Sequence, residues 1–318
     1  MTISGKTKLL GIFGHPVSHS LSPVMHNAVF QHADFGLDAV YVPLPCDPKN
    51  LKSAVQGFRD MGFLGANITV PLKEKMLDLV DELDPLARFT QSVNTIYWKN
   101  GVVGGTLCGT TTDPYGATNN LLNIQQDVAN RNIALLGNGG VSKALAFVLV
   151  CGKQIDPHWK GPKRVTIFGR DPKKLSALCH ELTANTHDLE PEWELLSRFP
   201  VVSHEYDLLI NGTSVGMHPL EDEVPVDSEG LHPGLTVYDI VYTPEYTRLL
   251  QDAQAKGCQI LTGTGMLVHQ GAYSFEYWFE SHYRFSQMDL TTRLQNRQVR
   301  AQIMQDAINS YRAKLLKI

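Results

Sequence analysis

The feature that most constrains the fold is a short apolar run that ends in a glycine-rich turn near the middle of the chain. Residues 133–137 have the length and composition of a buried strand, and a helix is predicted directly afterwards, over 141–150. The turn between them reads Gly137-Asn138-Gly139-Gly140-Val141. Glycines there let the backbone approach a pyrophosphate, while the helix N-terminus supplies free N–H groups and a partial positive charge. The pattern favours a dinucleotide site.

Strand-like and helix-like segments alternate along the whole chain, which predicts an α/β fold with parallel strands. Strands are predicted over 9–13, 39–44, 65–71, 133–137, 164–168, 208–210 and 236–240. Helices are predicted over 22–30, 51–61, 73–83, 113–123 and 141–150 and from about 172, with a short helical turn over 87–92. The segment after 265 is predicted to be helical and to return to the first domain. It ends in an amphipathic helix from about 294, with Met304, Ile308, Tyr311 and Leu315 on one face.

Length and composition bound the class of protein. A chain of 318 residues suggests about two domains, and the formal charge of −4 is too small to indicate a nucleic-acid or membrane partner. We find no apolar run long enough to span a bilayer, and the N-terminal apolar stretch is too short and glycine-rich for a signal peptide. The five cysteines are scattered without a Cys-x-x-Cys pair. We therefore expect reduced, mostly buried thiols in a cytoplasmic protein without a structural metal.

The end of the second strand of the nucleotide-binding unit should meet the adenosine ribose. It carries Arg170 and Asp171, followed by Lys173 and Lys174. An arginine there can pair with a 2′-phosphate and an aspartate can accept from a 2′-hydroxyl, so both NADP and NAD remain possible. Three cations around one acid favour NADP, although a solvated charged turn would equally explain the two lysines.

Two segments of the first half combine small polar side chains with predicted strand or helix ends. Ser20 and Ser22 lie at a helix start, where their hydroxyls could hold a carboxylate with help from the helix dipole; alternatively, Ser22 is an N-cap. Asn67 and Thr69 alternate along a strand and so share one face. Lys73 follows after a proline. The alternative for Lys73 is a surface lysine in the first turn of a helix, where a cation would oppose the dipole.

Six motifs in order resemble the shikimate/quinate dehydrogenase family, over roughly residues 8 to 280. They are His19-Ser-Leu-Ser-Pro23, Asn67-Ile-Thr-Val-Pro-Leu-Lys-Glu74, Ser92-Val-Asn-Thr95, Gly137-Asn-Gly-Gly140, Asn211-Gly-Thr-Ser-Val-Gly-Met217 and Gly263-Thr-Gly-Met-Leu-Val-His-Gln270. The resemblance implies a two-domain α/β architecture. A substrate-binding domain over 1–112 and 265–318 would be interrupted by a Rossmann-like dinucleotide-binding domain over 113–264.

The resemblance also implies a role for individual positions. Lys73 matches the catalytic lysine and Asp113 its aspartate partner. The substrate contacts implied are Ser20, Ser22, Asn67, Thr69, Asn94, Tyr242 and Gln270. The cofactor contacts implied are Gly137, Asn138, Gly139, Gly140, Val141, Arg170, Asp171, Thr213, Gly263 and Met266. A polyhydroxy carboxylate requires many neutral hydrogen-bonding groups, and these segments supply them.

The expected activity is hydride transfer between NADP or NAD and the 3-hydroxyl or 3-keto carbon of shikimate or quinate, with Lys73 and Asp113 moving the proton. Two alternatives remain: a ligand-sensing protein of the same fold without turnover, and a dehydrogenase of folate one-carbon units. The latter lacks support from the serine pair. We expect a monomer or homodimer.

The chain departs from the family pattern in four places. Thr111 replaces the usual asparagine two residues before Asp113, Pro114 replaces a small residue after it, and His269 stands where small or apolar residues are common. His269 could reach the substrate or face solvent. The tail beyond about 285 is longer than in most relatives and is interpreted as an interdomain or oligomer helix.

Overall fold

The computed structural model describes residues 2–123, 128–154, 159–186 and 189–315. The chain forms two compact units, one made of Met1–Thr112 with Val268–Ile318 and the other of Asp113–Leu267. The segment that follows the second unit therefore belongs with the N-terminal part of the chain. We describe each unit by itself.

The elements alternate along the chain as expected for an α/β protein. The strands are β1 Lys8–Gly14, β2 Ala39–Pro45, β3 Gly65–Ile68, β4 Glu82–Leu83, β5 Thr95–Trp98, β6 Leu107–Thr110, β7 Asn132–Leu136, β8 Arg164–Gly169, β9 Glu192–Leu195, β10 Leu208–Asn211, β11 Thr236–Asp239 and β12 Gln259–Leu261. The helices are α1 Ser22–Gln31, α2 Leu51–Asp60, α3 Pro85–Thr90, α4 Asp113–Asn123, α5 Gly140–Cys151, α6 Pro172–Thr183, α7 Phe199–Val202, α8 Arg248–Ala255, α9 Thr264–Tyr283 and α10 Leu290–Leu315.

The first unit contains a mixed sheet with strand order β2-β1-β3-β5-β6-β4. β1 pairs in parallel with β2 and β3, whereas β5 runs antiparallel to both β3 and β6. β4 pairs in parallel with β6, so β5 alone runs against the other five strands, and the expectation of parallel strands is right for this sheet except at β5. The carboxyl ends of β1 and β3 lie at one edge, which brings the segments after Gly14 and after Ile68 together.

The helix predicted over 73–83 is wrong. The structure instead has a short 3-10 turn over Lys75–Leu79, followed by an extended residue and strand β4. The backbone N–H of Asp81 donates to the Leu107 carbonyl at 2.8 Å, and the Asp81 carboxylate accepts from Leu107 N at 2.7 Å. Arg59 pairs with the same carboxylate at 2.9 Å. Long-range pairing with the start of β6 thus outweighs the helical spacing of the apolar residues.

The C-terminal helix begins earlier than predicted and only part of its expected face is buried. Met304 and Ile308 are fully buried, but Tyr311 is 39% and Leu315 54% exposed. α10 has 26 residues and packs along α1, which has only 10. The predicted apolar face is therefore buried at Met304 and Ile308, past the middle of α10, whereas the last turns extend beyond the surface that buries these two residues.

A cluster of aromatic rings surrounds His26 in the first unit. The fully buried His26 ring stacks on Tyr41 with centroids 4.5 Å apart and lies 5.1 Å from the Trp278 ring. Gly65 is required beside this cluster because a Cβ there would collide with the Trp278 ring. At Gly271 of α9, a Cβ would lie 2.6 Å from Met25, which shows how closely α9 approaches α1.

We expect His26 to make the protein sensitive to acid. Burial lowers the pKa of His26 to about 3 from its ordinary value of 6.5. Because the folded-state pKa lies below the unfolded one, the stabilisation is complete above pH 6.5 and is lost as pH falls towards 3. Between pH 6.5 and about 4 the free energy of unfolding should fall by roughly 3 kcal/mol more in the wild type than in His26→Phe.

Urea unfolding at several pH values measures this difference. His218→Gln is the matched control because the His218 side chain is 84% exposed, and its pH dependence should follow that of the wild type. An equally steep loss of stability in wild type and His26→Phe would show that His26 does not titrate differently in the two states.

The second unit contains a parallel sheet with strand order β12-β11-β10-β7-β8-β9. β7, the first strand along the chain, lies at the centre and its successors are added first on one side and then on the other. This arrangement places a topological switch point between β7 and β10, where doubly wound folds bind ligands. The predicted two-domain α/β fold with a Rossmann-like unit is confirmed. The edge strands β9 and β12 were not predicted.

The five cysteines, Cys46, Cys108, Cys151, Cys179 and Cys258, are all buried and free. Burial raises the pKa of the Cys151 and Cys179 thiols to about 11, which keeps them protonated and unreactive near neutral pH. None of the helices in the described part of the chain combines the length and the apolar character needed to cross a bilayer.

Candidate active site

Asn94 is the centre of a buried hydrogen-bond network in the first unit. Its Oδ1 accepts from the backbone N of Thr112 at 2.8 Å and from the Thr95 hydroxyl at 2.8 Å. Its Nδ2 donates to Thr112 Oγ1 at 3.0 Å and to Gln270 Oε1 at 3.4 Å. The network thereby brings together two of the substrate contacts implied by the sequence, Asn94 and Gln270, from distant parts of the chain.

Asn67 belongs to the same network. Its Nδ2 donates to Ser274 Oγ at 3.0 Å and to Thr95 Oγ1 at 3.1 Å, while its Oδ1 accepts from the Tyr41 hydroxyl at 2.7 Å. Asn67 is only 4% exposed. These bonds hold the amide in one orientation before any ligand arrives, which is the arrangement that precise recognition of hydroxyl groups requires.

Four members of this network were not predicted from the sequence: Tyr41, Thr95, Thr112 and Ser274. Ser274 lies four residues after Gln270 and so shares its face of α9, a spacing that could have identified it. Thr95 adjoins Asn94 directly in a segment already singled out. Tyr41 gave no local signal, because its hydroxyl reaches Asn67 across the sheet from β2.

The two serines occupy different environments. Ser22 is not the N-cap of α1: Leu21 takes that position without a side-chain cap, and Ser22 is the first helical residue. Ser22 is 3% exposed and its side chain hydrogen-bonds with the Tyr41 hydroxyl. Ser20 is half-buried, and its Oγ accepts from Ser22 N at 3.3 Å. Thr69 lies beside this loop, since a Cβ at Gly14 would lie 2.5 Å from Thr69 Cγ2.

Lys73 does not lie in a helix. It is half-buried, precedes the 3-10 turn that starts at Lys75, and accepts with its carbonyl from Val93 N at 3.1 Å. This bond attaches the Lys73 backbone to the segment that carries Asn94. The alternative that Lys73 lies in the first turn of a helix is therefore wrong.

Asp113 is 7% exposed and opens α4 in the second unit. Burial is the main cause that raises the pKa of Tyr242, and the negative charge of Asp113 is the second. The effect of this charge indicates that the two side chains lie close together. Pro114 stands in the first turn of α4, where the missing N–H carries no penalty. The threonines before Asp113 are buried, Thr111 at 1% and Thr112 at 0%.

His269 does not face solvent. It is 4% exposed, and burial, together with the charge of Arg297, lowers its pKa to about 4. His269 is therefore a neutral buried side chain at neutral pH. It lies next to Gln270 on α9.

The glycine-rich turn has the geometry that a dinucleotide requires. Gly137 has φ +100°, and a Cβ there would lie 2.7 Å from Ser142 Oγ and 2.8 Å from Thr213 Cγ2. Around Gly139 no atom lies within 4 Å of the Cβ position, so a ligand can approach the backbone. α5 starts at Gly140 without a side-chain cap. The residues present thus fit a pyrophosphate at the N-terminus of α5; Asn138 and Val141 of the turn are half-buried.

Other expected cofactor contacts surround the carboxyl ends of the same sheet. Arg170 is exposed after β8, while the Asp171 carboxylate caps α6 by accepting from Lys173 N at 3.0 Å and Lys174 N at 3.2 Å. Gly263 packs so closely on the Ile240 backbone that a Cβ would collide with it. Met266 is 8% exposed. Within the described residues, no group of three or more histidine, cysteine or acidic side chains is arranged to hold a metal ion.

A mixed sheet carrying a network of neutral polar groups and a Rossmann-like sheet with a glycine-rich turn together define a dinucleotide-dependent α/β oxidoreductase. The family model described as the shikimate dehydrogenase substrate binding domain matches residues 12–96. The model of the shikimate 5'-dehydrogenase C-terminal domain matches residues 263–282.

Similar proteins cover most of the chain. The shikimate dehydrogenase (NADP(+)) of Methanothermobacter thermautotrophicus is 38% identical over 277 residues, 87% of this chain and 92% of the relative. The enzyme of that name from Pyrococcus furiosus is 40% identical over 283 residues, with the same coverage of 87% and 92%. A crystal structure of a shikimate dehydrogenase in complex with NADP+ is 33% identical, with a TM-score of 0.78 over 96% of this chain and 97% of that one.

The chain belongs to the shikimate dehydrogenase family. The resemblance noted in the sequence is thereby confirmed, and so is the expected class of enzyme, a nicotinamide-dependent dehydrogenase, at the level of the family.

Proposed function

We propose that the protein interconverts 3-dehydroshikimate and shikimate with NADPH and NADP. The observation that carries this proposal is the network that joins Asn67, Asn94 and Gln270, because a polyhydroxy ring needs several oriented, uncharged hydrogen-bonding groups. The relatives named shikimate dehydrogenase (NADP(+)) support the same substrate and cofactor. Quinate, which carries a further tertiary hydroxyl, is the second candidate substrate.

Different residues recognise the carboxylate of the substrate and the hydroxyl groups of its ring. Ser20 and Ser22 at the start of α1 bind the carboxylate, with Ser20 as the more accessible of the two hydroxyls, and Tyr242 is a further substrate contact. Asn67, Thr69, Asn94 and Gln270 bind the ring hydroxyls. Because the amides are already oriented by internal hydrogen bonds, little ordering is needed when the substrate binds.

Lys73 and Asp113 carry the proton transfer. Reduction of the ketone requires a hydride at C3 and a proton on the oxygen, and Lys73 donates this proton from its ammonium group. In the oxidising direction the Lys73 amine takes the proton from the hydroxyl, while the Asp113 carboxylate stabilises the lysine in its charged form. When bound, the nicotinamide supplies or accepts the hydride.

The dinucleotide is held by the second unit. Gly137–Gly140 and Val141 at the start of α5 would hold its pyrophosphate, Thr213 and Gly263 would be further cofactor contacts, and Met266 would lie beside the nicotinamide. Arg170 would bind the 2′-phosphate of NADP. The Asp171 carboxylate is already engaged as the cap of α6, so the ribose end favours a cofactor that Arg170 can bind.

Arg170→Ala should raise the KM for NADP by about tenfold and the KM for NAD by much less, because only NADP loses a charge-assisted hydrogen bond. Steady-state kinetics with both cofactors measures the two values. Lys163→Ala is the matched control, because Lys163 is an exposed lysine that precedes β8 at the opposite end of the strand from Arg170, and it should change neither KM appreciably. An equal rise for NADP and NAD in Arg170→Ala would refute the assignment of Arg170.

A steady-state experiment that crosses shikimate and quinate with NADP and NAD tests the proposed function. We expect the highest kcat/KM for shikimate with NADP. Turnover of quinate in preference to shikimate would reassign the substrate. Activity with methylene-tetrahydrofolate and with neither shikimate nor quinate would overturn the proposal.

A further inference from the structure

A buried carboxylate lies where two neighbouring strands of the second unit end. Asp239 is the last residue of β11 and is aligned with Asn211, the last residue of β10. Asp239 is fully buried. Its Oδ1 accepts from Asn211 Nδ2 at 3.0 Å and from Val241 N at 3.0 Å, and its Oδ2 accepts from the Thr247 hydroxyl at 2.6 Å. One side chain thus binds the ends of both strands and the start of α8.

Asn211 extends these contacts into the loop that follows β10. Its Oδ1 accepts from Thr213 N at 3.0 Å and from Thr213 Oγ1 at 2.7 Å, and its Nδ2 also donates to the Val215 carbonyl at 3.2 Å. Thr213 in turn lies beside Gly137 of the glycine-rich turn. A chain of hydrogen bonds therefore leads from Asp239 to a residue proposed to contact the cofactor.

The two loops also pack directly on each other. Gly216 has φ +96°, and a Cβ there would lie 3.3 Å from both Cβ and Cγ2 of Thr247. The loop over 211–217 and the loop over 240–247 therefore meet on the side of the sheet where Asp239 is buried. The second loop carries Tyr242.

Burying a carboxylate at this position is unfavourable in free energy. Burial raises the pKa of Asp239 to about 6, against the hydrogen bonds from Thr247, Val241 and Asn211. All three donors are neutral, so neutral hydrogen bonds offset the free-energy cost of removing the charge from water. Titratable groups whose pKa is shifted in this way are concentrated at functional sites.

We propose that Asp239 is a positioning residue that joins the loops over 211–217 and 240–247 and thereby holds Thr213 in place for the dinucleotide. This inference rests on the proposed function, because it takes NADP(H) as the ligand of Thr213. Asp239 acts through Asn211 and Thr247 and does not itself contact the cofactor.

Direct titration of the protein with NADPH, followed by fluorescence, tests the role of Asp239 without turnover. Asp239→Ala removes the acceptor of all three bonds, and we expect the Kd for NADPH to rise by about tenfold or more. Asp239→Asn keeps the shape and an acceptor oxygen at Oδ1, and its amide can donate to Thr247, so it should restore affinity to within about threefold of the wild type. A purely structural role would not move the Kd in this graded way.

Thr247→Val provides the test if Asp239→Ala does not fold. It keeps the side-chain shape and removes the bond to Oδ2, together with the N-cap bond that the hydroxyl accepts from Leu250 N at 3.4 Å, and we expect the Kd for NADPH to rise by roughly threefold to tenfold. Thr166→Val is the matched control, because Thr166 is also fully buried in this unit but its hydroxyl hydrogen-bonds with Glu192 instead. Thr166→Val should bind NADPH like the wild type.

Unchanged NADPH affinity in Asp239→Ala and Thr247→Val, with only a lower Tm, would overturn the positioning role and leave the proposed function intact. Wild-type protein that fails to bind NADPH would overturn the proposed function, and this inference with it. The two failures are therefore distinguishable in one set of titrations.

Discussion

Replacing Lys73 with alanine is expected to lower kcat for shikimate oxidation by a factor between about a hundred and ten thousand, the range typical of a lost general acid–base group. The variant should fold, because Lys73 lies outside any helix and its bond to Val93 N is made by the backbone carbonyl, which alanine retains. The KM for shikimate should change much less than kcat, since the network around Asn94 provides most of the proposed recognition. Circular dichroism and steady-state kinetics on one preparation measure both properties.

Lys75→Ala is the control for Lys73→Ala. Lys75 lies two residues further along the chain and is exposed, so its replacement removes the same charge without touching the proposed site. Asp113→Asn should lower kcat in the same direction as Lys73→Ala, because it removes the carboxylate that we propose stabilises the protonated lysine. Nearly full turnover in both Lys73→Ala and Asp113→Asn would refute the proposal that this pair carries the proton transfer.

Replacing Glu276 is expected to cause the largest loss of stability of any single change described. Glu276 lies on α9 and is 3% exposed, and its carboxylate binds three arginines of α10. Arg293 Nε lies 2.8 Å, Arg297 Nη2 2.7 Å and Arg300 Nη2 2.7 Å from the carboxylate oxygens. Burial alone would raise the pKa of Glu276, yet the hydrogen bond from Arg297 and the arginine charges lower it. The cluster holds α10 against α9.

Glu276→Gln keeps the volume and removes the negative charge. Arg300 is fully buried and Arg297 is 8% exposed, so two buried cations would lose their counter-charge. Breaking such a buried pair costs about 3–5 kcal/mol in the free energy of unfolding. Urea unfolding measures this loss.

Glu82→Gln is the matched control for Glu276→Gln. Glu82 pairs with Lys99 at 2.7 Å, but both side chains are about half exposed, at 48% and 51%. An exposed pair of this kind contributes less than about 1 kcal/mol. Similar losses in Glu82→Gln and Glu276→Gln would show that burial of the α9–α10 cluster does not determine its contribution.

Prediction from the sequence was most successful for the second unit. Its strands β7, β8, β10 and β11 were predicted because parallel strands are buried on both faces and read as continuous apolar runs. The glycine-rich turn was equally visible, since only glycine tolerates the φ of Gly137 beside Ser142 and Thr213. Local chemistry was enough in both cases.

Features that depend on distant partners were missed or wrong. The segment 73–83 has helical spacing, but Asp81 is held extended by Leu107, 26 residues away. The antiparallel strands β5 and β6 are short and acquire their structure from pairing. Within the site, the motif residues were found as a resemblance, whereas Tyr41 and Asp239 were not, because their roles arise from hydrogen bonds between separate strands.

The most direct measurement combines shikimate binding by calorimetry with NADPH formation on a single preparation of the wild-type protein. We expect shikimate to bind and NADPH to accumulate when shikimate and NADP are supplied together, with 3-dehydroshikimate as the product. Shikimate binding without reduction of either NADP or NAD would contradict the proposed activity and would favour a ligand-sensing protein of the same fold.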